Sequence, residues 1–98
     1  MYELLIGLHV IDNEGYQKYR EGMMPILARM GGGFRYDFTI DETLRSEADH
    51  PINRLFAIYF PDVTTRAAFF SDPEYQEVRN KYFEPAVKGS TVIATYER

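Results

Sequence analysis

Of the chain's two histidines, only His9 falls inside a stretch that reads as a β-strand. Period-two alternation places it on one side with Glu3, Leu5 and Gly7, opposite the more uniformly apolar Leu4, Ile6 and Leu8. Gly7 leaves space beside the ring, and Arg35 and Asp37 lie together on the polar side of a second alternating segment. If the three line one cavity, His9 is a general base near its unperturbed pKa of ~6.5. Asp37 then orients the ring, and Arg35 stabilises a developing anion. The same residues also fit a bland pattern, a solvated or hydrogen-bonded strand face.

Tyr75 and Arg79 form a second candidate set, for ligand binding. Four residues apart on a helix, they share a face, and the guanidinium can reach Glu74, Glu84 or a ligand carboxylate. His50 sits beside Asp49 in a polar loop, and one imidazole with loop carboxylates is not a metal-ligand spacing. Gly31-Gly32-Gly33 follows a helix rather than a strand and lacks the G-K-[ST] ending, so it reads as a turn and not a phosphate loop. No metal and no cofactor is expected.

The elements that must position these residues follow from periodicity. Residues 2–11 read as a strand, capped by Asp12-Asn13. Tyr16, Tyr19, Met23, Ile26, Leu27 and Met30 then recur at helical steps, and the glycine triplet ends that helix. Pro25 inside it removes a backbone donor, which predicts a kink eased by Gly22. Phe34, Tyr36, Phe38 and Ile40 alternate with Arg35, Asp37, Thr39 and Asp41, a second strand with one apolar face. A polar connection over 42–53 leads to a third strand, Leu55–Phe60, stopped by Pro61. Asp62 and Asp72-Pro73 start two helical segments carrying Phe69, Phe70, Tyr75, Val78 and Tyr82. Thr91–Tyr96 is the fourth strand.

The order βαββαβ, with an offset of fifty residues superimposing Leu5 on Leu55, Asp12 on Asp62 and Tyr19 on Phe69, reads as two related βαβ units. The predicted fold class is α+β and ferredoxin-like, a four-stranded antiparallel sheet with both helices on one face. All 98 residues form one domain, 1–98, because a chain this short supports a single core.

Composition narrows the function classes. Eleven basic against fifteen acidic residues leave a net charge of −4, which disfavours nucleic acid and anionic membrane surfaces. The absence of cysteine excludes disulfides, thiolate catalysis and cysteine-held metals. Met1-Tyr2-Glu3 has no basic signal-peptide region, and no apolar run approaches the ~20 residues of a membrane span. A cytoplasmic location is expected.

The third strand breaks a rule. A sheet with one wet face should alternate, yet Leu55, Ala57 and Tyr59 are as apolar as Phe56, Ile58 and Phe60. A second copy stacked on that face would cover it, which predicts a homodimer joined through the sheet.

Phe60-Pro61-Asp62, Ala67-Ala68-Phe69-Phe70 and Ser71-Asp72-Pro73-Glu74-Tyr75-Gln76 resemble the "F-P-S, A, W-Y, S-P-E-Y-Q" signature of a dimeric α+β barrel family, the one numbered thirteen-thirty among domains of unknown function. Asp12, Tyr16, Tyr19, Pro25 and Gly31-Gly32 agree with the first half of the pattern, so the resemblance covers nearly the whole chain. Asp62 and Asp72 stand where the family has serines, Phe69-Phe70 where it often has tryptophan and tyrosine, and Phe38-Thr39 where it often has a glycine pair. The resemblance implies a dimeric α+β barrel and no particular reaction. The functional expectation is a small organic molecule bound between sheet and helices. The alternative is a cofactor-independent oxygenase or isomerase acting on a small aromatic or enolisable substrate.

Overall fold

Asp12 and Asp62, the pair related by the fifty-residue offset, do the same work in the computed structural model, which describes residues 1–98. Each carboxylate accepts a hydrogen bond from the backbone N–H three residues on, Gly15 at 3.1 Å and Thr65 at 2.7 Å, and so starts a helix. The elements run β1 (Tyr2–Val10), α1 (Asn13–Arg29), β2 (Gly33–Thr39), β3 (Arg54–Phe60), α2 (Val63–Ser71) and α3 (Pro73–Val78). A π-helical turn (Arg79–Phe83) then leads into α4 (Glu84–Ala86) and β4 (Val87–Glu97). No helix is long and apolar enough to cross a membrane.

The strands form one antiparallel sheet in the order β2-β3-β1-β4, the ferredoxin-like α+β arrangement. Its core is the helix-facing side of β1 and β3, Leu4, Ile6, Leu8, Phe56, Ile58 and Phe60, closed by Tyr16, Met23, Ile26 and Leu27 of α1 with Phe69 and Tyr75. Gly31 turns the chain out of α1 at φ +80°, where a side chain would be strained.

The helix α1 runs from Asn13 to Arg29 with Pro25 inside it. A Cβ on Gly22 would lie 2.8 Å from Val78 Cγ1, so glycine there lets α1 and α3 approach closely. The alternation of β2 breaks at Arg35, where the register against β3 shifts between Phe34 and Tyr36. The bulge leaves Phe34 opposite Ile58 in the core and turns Tyr36 and Phe38 to the other face, opposite Ala57 and Leu55. The 42–53 connection also folds back on that far face. Ile52 packs over Gly7, Asn53 exchanges hydrogen bonds with Val10 at 2.8 Å, and the His50 ring reaches Thr91 Oγ1 at 2.7 Å. Part of the apolar second face is thus covered by the chain itself.

Candidate functional site

The helices do not close fully on the sheet. A cavity of about 250 Å³ lies between them, floored by Leu4, Ile6 and Ile58, with α1 supplying Tyr19 and Arg20 and the second helical stretch supplying Tyr75 and Arg79. Thirteen of its seventeen lining residues are hydrophobic, and the other four are Ser90 and three arginines, Arg20, Arg66 and Arg79. The cavity is therefore apolar with a few convergent polar groups, the usual make-up of a small-molecule site.

At one wall, Arg20 is buried and stacked, its Cζ 4.0 Å from the Phe34 ring centroid and 4.8 Å from that of Phe56. Its Nε donates to the Tyr16 hydroxyl at 2.8 Å, and its terminal nitrogens donate to Asp37 at 3.0 and 3.3 Å. Arg54 binds the same carboxylate at 2.8 and 2.9 Å. Burial works to raise the pKa of Asp37, but hydrogen bonds from Arg54 and the neighbouring Arg20 outweigh it and hold the carboxyl below its ordinary range. Asp37 is thus a structural counter-ion for two guanidiniums.

Across the cavity, the Tyr19 and Tyr75 hydroxyls lie 2.9 Å apart. Burial raises both phenols above their ordinary value, so both keep their protons at neutral pH. One proton joins the pair and the other is left to donate. Arg79, one helical turn after Tyr75, pairs with Glu84. The π-helical turn that begins at Arg79 brings Phe83 against Tyr19, ring centroids 5.0 Å apart. Such turns recur at functional sites because the extra residue re-aims the side chains that follow.

The sequence-predicted residues separate accordingly. Tyr75 and Arg79 both line the cavity. His9, Arg35 and Asp37 do not share one. The bulge puts Asp37 opposite Phe56 on the helix side, while Arg35 projects to the far face. His9 also lies on the far face, beside His50, Asp49 and Lys88 in a polar surface depression. Alternation alone would keep Arg35 and Asp37 together, and a single inserted residue defeats it.

Arg35 serves a group that periodicity did not single out. Glu3, fully buried on β1, accepts from Arg35 Nε and Nη2 at 2.8 and 2.9 Å and from the Tyr96 hydroxyl, with Arg98 Nε at 3.2 Å. The Arg35 hydrogen bonds dominate over desolvation and, with Tyr96 and Arg98, pull this carboxyl down to about 2. The available signal was a carboxylate at the head of an apolar strand, a group rarely buried unless paired. No group of three or more His, Asp or Glu side chains is arranged to hold a metal ion.

A split-βαβ sheet with its helices on one face and a cavity between the layers defines the class, the ferredoxin-like α+β fold. Within it the chain belongs to the family described as Domain of unknown function (DUF1330), whose sequence pattern matches residues 4–95. Among solved structures it is similar to a protein of unknown function from Rhodopseudomonas palustris, with 20% identity and TM-score 0.80 over 99% of this chain and 81% of that one. It is also similar to a proposed antibiotic biosynthesis monooxygenase from Nitrosomonas europaea, with 14% identity and TM-score 0.69 over 100% and 98% of the two chains. A dabb family protein with a ferredoxin-like fold from Mesorhizobium loti shares 13% identity at TM-score 0.67 over 99% and 95%. At these identities the likeness is one of fold. No curated protein matches the sequence.

Proposed function

We propose that the chain binds one small organic molecule in the cavity between helices and sheet, and does so as a homodimer joined through the opposite sheet face. The observation that carries the binding reading is the cavity itself. Protein interiors otherwise pack to near crystal density, whereas about 250 Å³ between helices and sheet stays open to a molecule here, walled by apolar side chains with a few polar groups.

The test is native mass spectrometry of the purified protein, compared with the denatured chain. A bound small mass that is lost on Val92→Trp supports the reading, because Val92 lines the cavity and is half exposed at its rim. No bound mass, together with no perturbation of cavity resonances across a library of small organic molecules, refutes it.

The dimer is supported by the residues the helices cannot reach. Tyr36 and Phe38 stack on each other at 5.9 Å between centroids and are each about half exposed, beside partly exposed Leu5, Leu55 and Tyr59. Ala57 is already buried in the protomer, so a charge there would disturb the fold as well as any interface. Phe38→Asp is the cleaner probe. It should convert a sedimenting dimer to a folded monomer, and a monomeric unaltered protein at micromolar concentration refutes the proposal. The oxygenase or isomerase reading rests on His9 with Asp37 or Arg35; the bulge takes Asp37 to the helix side, and His9 and Arg35 share the far face.

A further inference from the structure

We propose that the cavity takes a small aromatic monocarboxylate and that Arg66 is the receptor for its carboxylate; this deepens the small-molecule reading and rests on it. The charged groups of the cavity wall are all guanidiniums, in a chain whose net charge is −4. Two of them already hold a carboxylate inside the protein, Arg20 through Asp37 and Arg79 through Glu84. Arg66 has no carboxylate partner, and its Nε is a buried donor with no hydrogen-bond acceptor at all. Buried donors are rarely left unmade, because an unmet group costs its full desolvation.

The guanidinium lies near two rings, its Cζ 6.0 Å from the Tyr2 ring centroid and 5.8 Å from that of Phe70. Its planar group carries several N–H donors, and a carboxylate can accept two of them with its two oxygens. The one cavity guanidinium without a carboxylate partner calls for one negative charge. The remaining wall is aromatic and apolar, with Phe34, Phe56, Phe70 and Phe83 around the space, which suits a ring rather than a sugar or a peptide. At about 250 Å³ the cavity lies just below the ~300–1,000 Å³ typical of drug-sized ligands, so a single ring with a short acid arm is the matching size. The unassigned proton of the Tyr19–Tyr75 pair is a further donor for such a ligand.

The experiment is calorimetric titration of the full chain with benzoate and phenylacetate, against their uncharged counterparts benzamide and phenylacetamide. The unaltered protein should bind at least one acid about tenfold or more tightly than its amide, the size expected of a charge-assisted hydrogen-bonded pair. Arg66→Gln should bring the acid down to the level of the amide, while Arg66→Lys should keep part of the preference. Equal affinity for acid and amide in the unaltered protein overturns the inference and leaves the small-molecule reading standing. An acid preference that survives Arg66→Gln also overturns it, since the receptor then lies elsewhere. Failure of all four compounds to bind overturns it too, and the co-purified mass decides separately whether the cavity is a site.

Discussion

Replacing Glu3 by glutamine keeps the shape of the side chain and removes its charge, which tests how much the far-face cluster contributes to the fold. The carboxylate is fully buried, yet the cover is thin, with the side chains of Arg35 and Arg98 36% and 39% exposed. A fall in pKa from 4.5 to about 2 corresponds to roughly 3 kcal/mol at ~1.36 kcal/mol per unit, an upper limit. Water competes for two partly exposed guanidiniums, so the expected loss is about 1–2 kcal/mol. For a domain of this size that lowers Tm by roughly 5–15 °C. The folded-state value lies below the unfolded one, so the contribution is complete above pH 4.5 and is lost as pH falls towards 2. Urea unfolding of both proteins at pH 7, 4 and 3, at two protein concentrations to separate self-association, reads the difference directly. The gap should shrink by more than half between pH 7 and pH 3. A variant as stable as the parent at pH 7, or a gap indifferent to pH, refutes the assignment.

Asp37→Asn leaves Arg20 and Arg54 without their shared counter-ion and should cost about 1–3 kcal/mol at neutral pH. Because the Asp37 carboxyl is held below its ordinary 3.8, that loss should fade as the solution is acidified below this value, as followed by denaturant midpoints. Phe69→Ala empties a fully buried site between Phe60 and Tyr75 and should lower stability by about 3–5 kcal/mol by the same assay. Gly22→Ala gains about 1 kcal/mol of helix propensity but sets a methyl against Val78, and a net loss of about 1 kcal/mol is expected. Val78→Ala should restore the double variant by calorimetry, and a cycle with no coupling would show that the close approach carries no energy.

The reading of single segments survives into three dimensions wherever one short-range rule is enough. The caps at Asp12 and Asp62, the glycine turn at Gly31 and the helical stripe of Tyr16, Tyr19 and Met23 are local features, written within a few residues of the sequence. Together with the fifty-residue offset they determine the order of elements, and the ferredoxin-like sheet follows from that order. The shared helix face of Tyr75 and Arg79 is legible for the same reason, and both line the cavity. What only tertiary structure decided are the relations that depend on register and on long side chains meeting across strands. A bulge at Arg35 inverts which residues of β2 face the helices, and no periodicity in that segment announces it. The void that makes Arg66 significant is a matter of how far helices stand from the sheet. A sequence records which side chains are present but not the gap left when they pack, because that gap is a sum over contacts between residues far apart in the chain.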